Sequence, residues 1–173
     1  MLKNTQYKFI FCAEPHTASR AVTKALKTLR NSEIVGDHQH LTLEKSELST
    51  AGYVSFSVIR DPREIIATMI ACKINELRFA QKYDQGRIVE RFVKWGCKQE
   101  KFFRHNDCDY TIRYPRWNDL NGLLRWLGVE NPITLPLVGV TKGKKPWFKY
   151  FTPEQIRRMH ANIPEIDLFR SWG

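Results

Sequence analysis

Four short groups of residues have the types and spacing to do chemistry. Pro15-His16-Thr17-Ala18-Ser19-Arg20 stands between an apolar run, Phe9-Ile10-Phe11-Cys12, and an amphipathic stretch. At a strand-to-helix turn, hydroxyls, a cation and the open amides of a helix start all favour an anion. Asp37-His38-Gln39-His40 offers two imidazoles that can take a proton near neutral pH. Arg60-Asp61-Pro62, with Thr68 eight residues after the Arg, offers a planar guanidinium and a hydroxyl suited to phosphate. Lys142-Gly143 lies in the basic run Gly139 to Trp147, the densest local positive charge of the chain, which can close over a bound phosphate.

Each group also has a plainer reading. The first is equally an ordinary strand-to-helix connection, the histidines a metal pair or surface residues, Arg-Asp-Pro a salt-bridged helix start, and the basic run a solvated charge cluster. No Cys or carboxylate partner stands at ligand spacing from His38 and His40, so no metal is expected.

The elements that must position these groups follow from periodicity. Phe9 to Cys12 reads as a buried strand. Val22, Ala25, Leu26 and Leu29 then mark one face of a helix that Thr17 or Ser19 can cap. Asn31-Ser32 is a turn before a short strand, Glu33 to Gly36, which delivers the two histidines; Leu41 to Leu48 is a short helix or turn. Tyr53 to Ile59, β-branched and aromatic, is the clearest strand, and Pro62 opens the helix after it. Ile74 to His105 reads as helical and divided near Gly86, with Ile88, Phe92, Trp95, Gln99 and Phe103 as a core-facing stripe. Tyr110 to Tyr114 is a further strand. Leu120, Leu123, Leu124 and Leu127 form a helix face closed by Gly128, and Pro132 to Pro136 is a connection. Thr152-Pro153-Glu154-Gln155 is a capping-box helix start, leading through Ile156 and Met159 towards Asn162, and Ile163 to Trp172 packs as a tail.

Composition bounds the classes. The 173 residues suit a single compact domain, 1–173, and 42% hydrophobic with 27% charged residues is a globular balance. A formal charge of +10, from 28 Lys plus Arg against 18 Asp plus Glu, attracts polyanions or aids solubility. Cys12, Cys72, Cys97 and Cys108 include no C-x-x-C pair, so free thiols in a reducing compartment are expected. No run reaches the roughly 18 apolar residues of a membrane span, and Met1 to Gln6 lacks a signal peptide's apolar core, so the expected location is cytoplasmic.

In this order the motifs resemble the sulfotransferase family, which moves a sulfuryl group from 3′-phosphoadenosine 5′-phosphosulfate (PAPS) to a hydroxyl or amine. Pro15 to Arg20 occupies the family's 5′-phosphosulfate loop. Phe56-Ser57-Val58-Ile59-Arg60-Asp61-Pro62 with Thr68 is similar to its 3′-phosphate signature, Thr standing for the usual Ser. Lys142-Gly143 followed by Trp147, Phe151 and Thr152 resembles the segment that covers the 3′-phosphate. The strand from Asp109 to Arg113 with its Leu-rich helix, and Asp167-Leu168-Phe169, resemble the family's late strand and tail.

The resemblance implies a three-layer α/β/α domain with a mainly parallel sheet, P-loop nucleotide-binding-like. It also implies PAPS as co-substrate without metal, and a carbohydrate, lipid or small-molecule acceptor. Pro15, His16, Thr17, Ala18, Ser19 and Arg20 would hold the 5′-phosphosulfate, and Arg60, Thr68, Lys142 and Gly143 the 3′-phosphate. His40, or His38, would be the base and His16 the leaving-group donor. Within the loop the chain departs from the family at two positions: His16 stands for the Lys and Ala18 for the Gly. A protonated His restores the missing charge, and a neutral one donates a single hydrogen bond.

Two other classes share parts of the pattern. A P-loop kinase-like nucleotide enzyme has the same strand, loop and helix, but its loop would carry glycines and a Lys that are missing here. A basic nucleic-acid-binding module without catalysis would use the +10 charge and the aromatics from Phe92 to Phe103, without any recognised motif.

Overall fold

All four side chains of Phe9–Cys12 are buried, as expected of a strand covered on both faces. The computed structural model describes residues 1–35, 52–77, 84–99, 102–103, 108–136, 141 and 143–172. In chain order the elements are β1 Leu2–Asn4, β2 Phe9–Cys12, α1 Ser19–Leu26, β3 Ser32–Ile34, β4 Val54–Ile59, α2 Pro62–Leu77, α3 Gln85–Cys97, β5 Tyr110–Arg113, α4 Trp117–Trp126 and α5 Pro153–Asn162. Two 3-10 segments, Trp147–Lys149 and Pro164–Trp172, flank α5. The chain forms two compact units, Met1–Arg60 with Phe103–Gly139, and Asp61–Phe102 with Val140–Gly173.

The first unit is an α/β sheet of five strands in the order β3-β1-β2-β4-β5. β2, β4 and β5 are parallel neighbours, whereas β1 pairs antiparallel with both β2 and β3. The sheet is therefore mixed, which corrects the expectation of a mainly parallel one. The difference lies in β1. Three residues, Leu-Lys-Asn, are too few to show alternation, and Lys and Asn are poor strand formers. β1 is held by its partners instead. The buried Asn4 amide donates to the Arg30 carbonyl at 2.9 Å and to Ser32 Oγ at 2.8 Å, while its oxygen accepts from the Tyr7 amide at 2.7 Å.

Pleating sorts the side chains. Phe9, Phe11, Phe56, Val58 and Ile112 share one face, where they pack with Val22 and Leu26 of α1 and with Leu120 and Leu124 of α4. The Phe56 ring lies 5.3 Å from Phe11 and 5.5 Å from Phe9. Losing such a buried ring costs about 3–5 kcal/mol. Ile10 and Cys12 point to the other face, beside Met1, Tyr53 and Cys108.

The second unit is helical, with Ile66, Ile70, Val89, Val93, Met159, Ile163 and Ile166 at its centre. The buried face of α3 is Val89, Val93 and Gly96. This lies one position off the expected stripe: Ile88 and Phe92 flank the core, and Trp95 is 40% exposed. Gly96 explains the offset, since a Cβ there would sit 2.7 Å from Ile66 Cδ1. The helices approach through a glycine, which a search for apolar spacing passes over. Phe103 lies beyond the end of α3. At α5 the expected capping box is present, with Thr152 Oγ1 accepting from the Gln155 amide at 3.2 Å and Gln155 Oε1 from the Thr152 amide at 3.0 Å.

Candidate functional site

The loop between β2 and α1 is built from its buried base upward. Ala13, Glu14, Thr17 and Ser19 are buried, while His16 and Arg20 are exposed. The Thr17 hydroxyl turns inward and donates to the Glu14 carbonyl at 2.9 Å. His16 and Ala18 take left-handed backbone conformations, with φ of 60° and 65°. Each costs a non-glycine residue on the order of 1 kcal/mol. The turn keeps them because Thr17 is anchored between them and α1 is pinned by Val22 and Leu26.

This geometry corrects the expected cap. Ala18 is the N-cap of α1 and supplies no side-chain hydrogen bond; neither Thr17 nor Ser19 caps the helix. The Ala18 carbonyl accepts from the amides of Ala21 and Val22 at 2.9 and 3.1 Å. The amides of Ser19 and Arg20 precede them at the open end of the first turn, where no intrahelical acceptor exists. No acidic residue occupies that turn.

Arg60 joins this loop from the next strand. It follows β4, which runs parallel to β2, and its Nη1 donates to the His16 carbonyl at 3.5 Å. The guanidinium stacks on Tyr114, 4.6 Å from the ring centroid. Tyr114 follows β5, and its amide donates to the Ile59 carbonyl at 2.7 Å. The carboxyl ends of β2, β4 and β5 thus bring together the His16 loop, Arg60 and Tyr114. That end of a parallel sheet is where ligands of α/β proteins bind. Sequence reading found the loop and Arg60 and passed over Tyr114, whose only signal was an aromatic residue directly after a strand.

The second unit holds the remaining expected residues that are described. Asp61 caps α2: its Oδ1 accepts from the Arg63 amide at 2.9 Å, and its carboxylate pairs with the Arg63 guanidinium at 2.6 Å. Arg63 also lies 4.4 Å over the Trp147 ring and 3.3 Å from His160 Nε2. The Thr68 hydroxyl donates to the Glu64 carbonyl at 2.7 Å, within its own helix. Gly143 has φ 70°, and the neighbouring Lys144 forms an ion pair with Glu64. Lys142, His38 and His40 lie outside the described residues.

Among the described residues no group of three His, Cys, Asp or Glu side chains could hold a metal ion, and no helix is long and apolar enough to cross a membrane. Surface concavities of about 340 Å³ beside Pro115 to Asp119 and about 560 Å³ along α3 are not lined by the β2–α1 loop. In comparisons with known proteins, no family model, no curated protein and no solved structure matches the chain.

Proposed function

We propose that the protein is a PAPS-dependent sulfotransferase, with the β2–α1 loop holding the 5′-phosphosulfate and Arg60 the 3′-phosphate. The observation that carries the reading is the start of α1. Among the described α-helices it alone has neither a side-chain cap nor an acidic residue in its first turn. The positive end of its dipole opens between exposed His16 and Arg20, with Arg60 alongside. The donor set suits the two negative charges of a phosphosulfate, one on the phosphate and one on the sulfuryl group. The buried hydroxyl of Thr17 serves the turn, so contact with the 5′-phosphosulfate falls to the Ser19 and Arg20 amides and to the His16 and Arg20 side chains, and Arg60 serves the 3′-phosphate. The family's three-layer, P-loop-like architecture belongs to the same proposal.

Transfer needs an acceptor oxygen or nitrogen in line with the leaving phosphate, and charge stabilisation where the leaving group develops. His16 donates a proton or hydrogen bond to the bridging oxygen, in place of the family's Lys. Arg20 and the helix amides hold the phosphate oxygens. His40, or His38, takes the proton of the acceptor hydroxyl or amine. The roles of Pro15 in shaping the turn, and of Thr68, Lys142 and Gly143 on the 3′-phosphate, rest on the resemblance alone.

The test uses adenosine 3′,5′-bisphosphate, the product of such a transfer. A ligand at 100 times its Kd stabilises by about 2.7 kcal/mol, so the melting temperature of the chain rises measurably. Arg60→Ala abolishes retention on an immobilised bisphosphate resin. His40→Ala is retained and loses transfer from radiolabelled PAPS. Unchanged retention by the Arg60 variant removes the nucleotide site, and full transfer by the His40 variant moves the base elsewhere.

A further inference from the structure

The face of the sheet opposite α1 and α4 carries two thiols that the proposed reaction does not use. Cys12 ends β2 and is fully buried; its strand partner on β4 is Ser57, and one pleat back Ile10 pairs with Ser55. Cys108 lies just before β5, is half-buried, and packs into the same cluster as Ile10 and Cys12. Its place is fixed by the next residue. The Asp109 amide donates to Ser55 Oγ at 3.0 Å, and Asp109 Oδ2 accepts from both the Ser55 amide and the Ser55 hydroxyl at 2.7 Å. This clamp holds Cys108 against the cluster that contains Cys12, whose own Sγ donates to Met1 Sδ at 3.8 Å.

The two thiols are unequal. Cys12 is pushed up, first by its contact with Cys108 and then by burial. Cys108 is held below the usual thiol range, first by the neighbouring Cys12. Glu14 is the acidic neighbour and opposes both thiolates. A more acidic, more accessible thiol beside a buried thiol is the arrangement in which one sulfur attacks and the other resolves.

We propose that Cys12 and Cys108 form a redox-active dithiol that reduces hydrogen peroxide, with Cys108 attacking and Cys12 resolving. The Cys108 thiolate attacks one peroxide oxygen; the S–O bond forms, the O–O bond breaks, and the departing hydroxide takes up a proton to become water. Cys12 sulfur then attacks the Cys108 sulfenic acid. The S–S bond forms and the S–O bond breaks, and hydroxide leaves with the Cys12 proton as a second water. Two thiols lose two electrons and one peroxide gains them. A half-buried sulfur admits peroxide more readily than a bulky disulfide such as oxidised glutathione. The other thiols are differently placed: Cys97 Sγ contacts the Arg158 carbonyl at 3.8 Å, and Cys72 lies 3.5 Å from Thr141 Oγ1.

The experiment treats the reduced full chain with stoichiometric hydrogen peroxide, blocks remaining thiols and maps tryptic peptides without reduction. The expected product links peptide 9–20 to peptide 105–113, two hydrogens lighter than the reduced pair. Cys12→Ser accumulates a dimedone-reactive sulfenic acid at Cys108, and Cys108→Ser leaves Cys12 unlabelled. A persistent Cys108 sulfenic acid in the unmodified chain, dimedone on Cys12 in Cys108→Ser, or a dominant Cys72–Cys97 link overturns the pair. Linkage by oxidised glutathione as fast as by peroxide overturns the choice of oxidant. The peptide map of the unmodified chain decides even if a cysteine variant does not fold.

Discussion

The helices of the two units begin in opposite ways. In the helical unit α2, α3 and α5 each start on a side-chain cap, Asp61, Asp84 and Thr152, and α2 and α5 add an acidic residue in the first turn. Their positive ends are satisfied from within. α1 of the sheet unit starts on Ala18, with a strained backbone and no cap. A side-chain cap at Ncap contributes about 1 kcal/mol, and leaving it out while adding strain costs stability. α4 also lacks a side-chain cap but carries Asp119 in its first turn, so α1 is the helix start on which the proposed anion site can be tested.

The sharpest way to break this contrast is to close α1. Ala18→Asp puts a carboxylate at the open end, and Asp tolerates the left-handed conformation better than Ala. It should weaken bisphosphate binding by at least about tenfold, equivalent to about 1.4 kcal/mol, while leaving the melting temperature unchanged or higher. Binding equal to that of the unmodified chain would mean that the open end has no role in it. The matching change in the other unit is Asp84→Ala, which removes the side chain that accepts from the Arg87 amide at the start of α3. It costs about 1 kcal/mol, a fall of about 2–4 °C in melting temperature for a chain of this size, with bisphosphate binding unchanged. A binding defect there would erase the distinction between structural and ligand-facing helix starts.

Ala18→Gly separates strain from openness. Glycine adopts a φ of 65° without the Cβ clash, so the variant should gain about 0.5–1 kcal/mol after the added unfolded-chain entropy, and keep its binding. Thermal unfolding and the resin assay read the two effects independently. Lower stability would mean that the Ala18 methyl contributes packing that outweighs its strain.

What could be read in advance divides along physical lines. Long periodic stretches and strong local punctuation were legible: the β4 strand, the Pro62 helix start, the Leu-rich α4 and the Thr152 box each carry their signal within a few residues. β1 was illegible because its stability comes from Asn4 bonds to residues far along the chain, not from its own propensity. The α3 face was misplaced by one position because a glycine packs at its centre and leaves no hydrophobic mark. At the site, Pro15 to Arg20 and Arg60 were visible as types and spacing, but nothing in the sequence told which hydroxyls face inward. The loop's departure from the sulfotransferase pattern it resembles was the clue to its strain: Ala18 stands where a glycine would fit, and its backbone takes a glycine's conformation.

The smallest effect tests how the helical unit satisfies its charges. Glu90 on α3 accepts from Arg158 on α5 at 2.8 Å through both oxygens, and from Gln155 at 3.2 Å. Arg158 holds the Glu90 carboxyl below the usual range, with a smaller contribution from Gln155. A carboxylate depressed by folding contributes stability that is fully present above its unfolded pKa of about 4.3 and is lost as pH falls through the lower folded value. Both partners are 36% exposed, so solvent screening holds the contribution to a few tenths of a kcal/mol, at most about 1. Glu90→Gln should therefore lower stability slightly at pH 7 and match the unmodified chain at pH 2–3. Denaturant unfolding at both pH values measures the difference, and raised salt should shrink it at pH 7. An equal loss at both pH values would assign the role of Glu90 to packing and hydrogen bonding, independent of its charge.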